Sequence, residues 1–134
     1  MHTRTEQMWE GMKKVHLHGE GWVNHTFTLP DLGPPHDHPY TCVSRIIWGS
    51  YLEEIYGPEG LIETVHRKTD DEFEIPFNRI HRIVELPEGF CITAYKPLTG
   101  KVQEPGFYEW QDGRMFQRRW NETEFRLAPH PPAS

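Results

Sequence analysis

The sequence predicts an all-β protein, a barrel or sandwich of short strands that follows one short N-terminal helix. A chain of 134 residues has the length of a single domain. Its 11 glycines and 12 prolines favour many turns over long helices. Between these turns the segments are rich in β-branched and aromatic side chains, which are typical of strands. Aromatic residues make up 13% of the chain, enough to supply a packed core.

The short helix is predicted over residues 3–14. Thr3 and Glu6 have the spacing of a helix capping box. Trp9 and Met12, three positions apart, would then lie on one face of the helix. Glycines and a proline follow soon after and prevent a long continuation.

The remaining chain predicts a series of strands separated by turns. The strongest apolar run is residues 42–56, in which Gly49 marks a turn or bulge. Asp112-Gly113 suits a tight hairpin turn between two aromatic strands. The other predicted strands are residues 15–29, 61–68, 73–77, 81–86, 90–98, 107–110 and 114–120.

These segments predict one domain over residues 1–134, with no internal repeat and no long linker. Its core is expected over about residues 15–122. The proline-rich end, residues 127–134, is expected to be disordered.

The charge balance argues against partners that carry many phosphates. The chain has 14 Lys and Arg against 20 Asp and Glu, a net charge of −6. We therefore expect neither a nucleic-acid binder nor a protein that adheres to anionic lipid. No apolar run is long enough to span a membrane. The first residues lack an apolar signal core, and two cysteines cannot form a disulfide framework, so a reducing cytoplasm is the expected location.

Nine histidines, a high number for this length, include two His-x-His pairs. Residues i and i+2 of a strand point to the same face, so each pair is able to present two imidazoles to one metal ion. For His16 and His18 no matching third ligand follows, and a solvated strand is the preferred interpretation. For His36 and His38 a third candidate, His81, follows in a proline-led segment. Neutral imidazole suits Fe, Zn, Cu and Ni alike, so ligand type does not name the metal.

The surroundings of these three histidines resemble the two motifs of the cupin superfamily. His36-Asp37-His38 is followed by three residues, Cys42, six residues and Gly49. This matches the first motif, except that the usual acidic ligand is a cysteine. In the second motif Pro76 and His81 match, whereas Asn78 and Glu85 replace the usual Gly and Asn. The resemblance covers about residues 22–110. It implies a small jelly-roll barrel with metal ligands His36, His38 and His81 on its inner face.

The cysteine in place of the acid resembles the thiol dioxygenases, which use three histidines. Tyr95-Lys96-Pro97 also matches a late-strand Tyr-x-Pro of that group, although Thr93 stands where those enzymes tend to carry a His. The resemblance implies a metal that keeps its full positive charge and attracts a small anionic or thiol substrate. It makes Cys42 and Tyr95 candidate catalytic residues beside the metal. The alternative for both is an ordinary core side chain.

Other side chains near the motifs have expected supporting roles. Glu85 is a candidate acceptor that orients a ligand imidazole. Tyr40 and Trp48 share strand parity with His38 and Cys42, so both are candidates for the pocket wall, although core packing is preferred for Trp48.

The leading hypothesis is therefore a mononuclear cupin with Fe(II) that acts as a dioxygenase on a small anionic or thiol substrate. A second hypothesis is a Zn, Ni or Mn cupin that works as an isomerase, lyase or hydrolase. A third is a barrel that binds a small molecule without turnover. A homodimer is possible in each case.

Overall fold

Strands dominate the observed architecture. A computed structural model describes residues 3–9, 12–17 and 21–128 of the chain. These residues form eleven strands: β1 Thr3–Trp9, β2 Met12–Leu17, β3 Val23–Phe27, β4 Cys42–Gly57, β5 Gly60–Lys68, β6 Glu72–Ile75, β7 Ile80–Glu85, β8 Cys91–Pro97, β9 Gly106–Gln111, β10 Arg114–Arg119 and β11 Arg126–Leu127. The all-β class expected from the turn-rich sequence is confirmed. The described part of the chain contains no helix that is long and apolar enough to cross a membrane.

The strands form two antiparallel sheets that share β4. One sheet runs in the order β1-β2-β3-β8-β4, with β6 also paired to the first half of β4. The second half of β4 pairs with β5 and β7. Single bridges from His36 to His81 and to Phe107 connect β7 with the sheet β9-β10-β11. The result is a jelly-roll barrel, as the motifs predict.

Long strand β4 changes sheets at a bulge near its middle. Its register shifts between Ile46 and Trp48, and Gly49 has a φ of 87°. A Cβ on Gly49 would lie 2.5 Å from the backbone oxygen of Phe90, so only glycine fits here. The bulge expected at Gly49 is confirmed. It also reverses the alternation of the strand and leaves Trp48 64% exposed, so the core packing preferred for Trp48 is wrong, and so is the alternative of a pocket wall.

Side chains from both sheets meet between them in the main core. That core contains Phe27, Ile46, Tyr51, Ile83 and Cys91. A second cluster adjoins it and contains Val23, Cys42, Ile75 and Tyr95. Because both clusters lie against the inner faces of the strands, polar side chains on those faces are enclosed as well.

The N-terminal helix expected over residues 3–14 is wrong. The structure has strands β1 and β2 there, paired as a hairpin, and β2 continues the sheet by pairing with β3 from Met12↔Phe27 to His16↔Val23. A helix of this length is marginal without tertiary support, whereas strand pairing satisfies the backbone of both segments. The spacing of two residues, Trp9 and Met12, is too short a pattern to distinguish a helix from a pair of strands.

At the other end, Asp112 and Gly113 have φ angles of 51° and 76°, which confirms the hairpin turn between β9 and β10. Disorder was expected from residue 127, but Leu127 pairs with Phe116 and Ala128 N donates to Met115 O. Residues 129–134 of the expected tail lie outside the described residues.

Candidate metal centre

Three imidazoles from distant parts of the chain converge on one point of the inner wall. Each of His36, His38 and His81 offers one nitrogen, and these nitrogens all lie within 4.8 Å of one another. The ring centroids are 5.5 Å apart for His36 and His38, 4.9 Å for His36 and His81, and 4.6 Å for His38 and His81. The structure thus brings together the three residues that the motifs single out.

Backbone hydrogen bonds fix the distance between the far-apart members of this group. His36 N donates to His81 O at 2.9 Å, and His81 N donates to His36 O at 2.9 Å. Such a reciprocal pair is the narrow pair of an antiparallel ladder, in which opposed side chains share a face. The closeness of rings 36 and 81 therefore follows from the sheet itself.

Asp37, which lies between His36 and His38 in the sequence, bonds this segment to β9. Its Oδ1 accepts from Gly106 N at 2.7 Å, and its Oδ2 accepts from Tyr108 Oη at 2.6 Å. Gln103 Nε2 donates to His38 O at 2.7 Å. Burial raises the pKa of Asp37, and these hydrogen bonds oppose that rise. Asp37 anchors the segment to β9, so the imidazoles on either side keep a fixed orientation.

A buried carboxylate orients the third histidine. Glu53, on the second half of β4, is fully buried, and its Oε2 accepts from His81 Nδ1 at 2.5 Å. Its Oε1 accepts from Arg67 Nε at 2.9 Å. Burial acts to raise the pKa of Glu53, but His81 and Arg67 outweigh it and lower the pKa to about 2. The carboxylate is therefore ionised, and the ring nitrogen that donates to it is Nδ1 of His81.

The other two histidines are held in the neutral form. Burial lowers the pKa of His36 to about 4, and the charge of His81 acts in the same direction. Burial also lowers the pKa of His38 well below its usual value, with contributions from His81, His36 and Arg79. Buried Nδ1 of His38 has no hydrogen-bond partner among the described residues. Neutral, convergent imidazoles with an unsatisfied nitrogen are the donor set that a divalent transition metal binds.

The two candidate catalytic residues lie in the second core cluster. Cys42 and Tyr95 pack there with Val23 and Ile75, and Tyr40 Oη donates to Tyr95 Oη at 2.9 Å. Burial raises the pKa of the Cys42 thiol to about 11, against the opposing charge of Arg79. At neutral pH the thiol is protonated, which agrees with packing more than with a nucleophile. Arg79 acts electrostatically on both Cys42 and His38, so the two neighbourhoods adjoin.

Sequence patterns singled out the wrong glutamate. Glu85, expected to orient an imidazole, is exposed at the end of β7, and the carboxylate in contact with His81 is that of Glu53. A signal was present, since Glu53 alternates with Tyr51 on the same face of a predicted buried strand. An unbroken alternation from Cys42 would put both residues on the outer face, and the bulge at Gly49 turns them inward.

Of the remaining candidates, Tyr40 lies against the second cluster, as expected of a wall residue. His66, a histidine outside the motifs, is exposed on β5. The candidate pair His16 and His18 has no described side chain: His16 lies in β2, and His18 lies outside the described residues.

Fold and histidine group together define a jelly-roll barrel with a candidate metal centre. Among solved structures, the chain is similar to RemF, a polyketide cyclase from Streptomyces resistomycificus. The two are 14% identical over 83% of each chain, with a TM-score of 0.56. KdgF from Halomonas sp. is 20% identical over 72% of this chain and 89% of that chain, with a TM-score of 0.52.

A third similar structure is Drosophila melanogaster CENP-C bound to CAL1. It is 12% identical over 71% of this chain and 80% of that chain, with a TM-score of 0.52. At these identities the likeness is one of fold. No protein-family model matches the chain, and no curated protein matches it. The fold thus occurs in an enzyme and also in a protein solved with a protein partner, so function has to be argued from the site.

Proposed function

We propose that this protein is a metal-dependent cupin-type enzyme that binds one divalent transition metal through His36, His38 and His81. The observation that carries the proposal is the convergence of three imidazoles, two of them neutral and the third oriented by Glu53. Elemental analysis of the protein purified without added metal tests it. One equivalent of a transition metal is expected, and a protein that stays metal-free after incubation with Fe(II), Zn, Ni and Mn contradicts it.

The finer proposal is an Fe(II) dioxygenase that acts on a small anionic or thiol substrate. Because imidazole is an uncharged ligand, a cation bound by His36, His38 and His81 would keep its charge and attract an anion. When bound, iron(II) supplies the redox chemistry through which dioxygen reacts with the substrate. A thiol R–SH and one O₂ give the sulfinic acid R–SO₂H, in which both oxygen atoms end on sulfur and no other reductant is needed.

The chain's own residues would hold the substrate and exclude water. Side chains of Val23, Ile75 and Cys42 supply an apolar wall, and Arg79 supplies a positive charge within electrostatic range of His38. The hydroxyls of Tyr40 and Tyr95, 2.9 Å apart, are able to hold a proton near the substrate. Oxygen consumption by the iron-loaded protein against a panel of small thiols and carboxylates tests this chemistry. No uptake with any thiol at full iron occupancy removes the thiol version.

The absence of a carboxylate from the ligand group also favours a second candidate, a Zn, Ni or Mn centre that acts as a Lewis acid in an isomerase, lyase or hydrolase. Metal identity separates the two. Zinc in the purified protein with no oxygen uptake supports the second candidate, whereas metal without any turnover supports a binding barrel. A cytoplasmic location and a homodimer stay predictions, and sedimentation of the purified protein tests the dimer.

A further inference from the structure

Behind the candidate metal centre, Arg67, Glu53 and His81 form a continuous chain of contacts that reaches the edge strand β5. Glu53 is fully buried and uses one oxygen for each partner, 2.9 Å to Arg67 Nε and 2.5 Å to His81 Nδ1. The guanidinium of Arg67 lies over the ring of Phe73, 3.8 Å from its centroid. Phe73 thus holds Arg67, Arg67 holds Glu53, and Glu53 contacts His81.

We infer that Glu53 is a positioning residue that fixes His81 with Nε2 towards the other two imidazoles, and that Arg67 acts only through Glu53. This inference rests on the proposed function, because it concerns how the same centre binds its metal. The geometry of His81 alone does not determine which ring nitrogen carries the proton. A carboxylate at Nδ1 does, since an ionised carboxylate accepts hydrogen bonds and cannot donate one.

Arg67 has two effects on the carboxylate. A carboxylate buried without a cation would be strongly destabilised, and Arg67 offsets that cost. Its bond to Oε1 also keeps the carboxyl group from rotating, so Oε2 stays opposite His81. Stacking on Phe73 holds the guanidinium in turn. Glu53 and Arg67 are therefore expected to behave as one unit.

The carboxylate of Glu53 also adds a negative charge close to the candidate metal centre. Glu53 places one negative charge a single side chain away from the metal position, in contact with His81. Removal of that charge is expected to weaken binding of any divalent cation, whichever metal is native. The inference is therefore independent of the choice between iron and zinc.

The test is a double-mutant cycle on metal affinity with the full chain, using Zn²⁺ and Fe²⁺ as probes. Glu53→Gln is isosteric but cannot serve both partners, because its amide presents a donor to one of them. A 10- to 100-fold loss of affinity is expected. Arg67→Met is expected to give a smaller loss, and the double variant a loss no larger than that of Glu53→Gln alone. Additive losses would show that Arg67 acts independently and would overturn its part of the inference.

Matched controls come from the same strand. Glu54→Gln removes a neighbouring carboxylate that accepts from Tyr56 Oη at 2.5 Å, and Arg45→Met removes an exposed cation of β4. Both are expected to leave metal affinity unchanged. Arg67→Lys keeps the charge and is expected to restore part of the affinity lost in Arg67→Met.

A second readout works on the metal-free protein. Long-range ¹⁵N NMR of the His81 ring is expected to show the proton on Nδ1 in the wild type and a mixture of tautomers in Glu53→Gln. An unchanged tautomer together with wild-type affinity in Glu53→Gln overturns the inference while leaving the metal centre intact. A wild-type protein that binds neither probe instead overturns the proposed function itself.

Discussion

Strand β4 carries Cys42 in its first half and Glu53 in its second half, and both side chains are buried. Around Cys42 the neighbours are apolar, and burial raises the thiol pKa to about 11. Around Glu53 the neighbours are His81 and Arg67, and the carboxyl pKa falls to about 2. Burial acts in the same direction on both groups, so the difference comes entirely from the partners that the opposing strands supply.

The buried carboxylate in contact with the histidine group lies on the second half of β4, not at the position of Cys42. The first motif lacks its carboxylate, and a cysteine packs in that position. A carboxylate on the other half of the same strand supports the histidine group from behind. The two halves are joined by the bulge at Gly49, which turns Glu53 towards the inner face.

The largest expected effect is that of His38→Ala. Removing one of three ligands is expected to reduce metal affinity at least about 1000-fold, more than the loss typical of a residue behind the ligands. Isothermal titration with Zn²⁺ measures this, and His66→Ala, an exposed histidine of β5, is the matched control. Equal affinities for the two variants would mean that the metal is held elsewhere.

The bulge is expected to be sensitive to a single methyl group. Gly49→Ala forces a residue with a side chain to a φ of 87° and brings Cβ against Phe90 O. A loss of about 3 kcal/mol in the free energy of unfolding is expected. Urea denaturation measures it. Gly100→Ala, where an added Cβ meets nothing within 4 Å, serves as the control and is expected to change stability little.

Acid should destabilise the metal-free protein in two steps. His36 has a pKa of about 4 in the folded protein against an ordinary 6.5, so the unfolded chain binds its proton first. Stability is therefore expected to fall as the pH drops from 6.5 to about 4, by about 2 kcal/mol. Glu53 contributes stability above its ordinary pKa of 4.5 that is lost as the pH falls towards 2. Thermal unfolding from pH 7 to 3 follows the first step and the beginning of the second. Because the pKa of His38 is lowered as well, the double variant His36→Ala/His38→Ala should flatten the first step, and His36→Ala alone should only reduce it.

The smallest effect is expected at Cys42. Cys42→Ala removes a small buried side chain from the second cluster and is expected to cost about 1 kcal/mol of stability. Metal affinity should stay within about twofold, because the thiol lies outside the three-histidine group. A large loss of activity in the loaded protein at unchanged metal affinity would instead give Cys42 the catalytic role that the motif resemblance implies.

Much of the fold followed from local patterns. Turn residues and β-branched segments predicted the strands, Asp112-Gly113 predicted its hairpin, and Gly49 predicted the bulge. The N-terminal hairpin was missed, because the spacing of two apolar residues says nothing about the neighbouring strand β3 that stabilises an extended chain there.

The three histidines of the candidate centre were indicated by the sequence alone, because two short motifs contain them, although His36 and His38 lie outside the named strands. The pairing of His36 with His81, the orientation of His81 by Glu53, and the apolar surroundings of Cys42 were decided only by tertiary structure. Each of these depends on which residues of distant strands lie opposite one another, and the bulge at Gly49 decides that Glu53 faces inward.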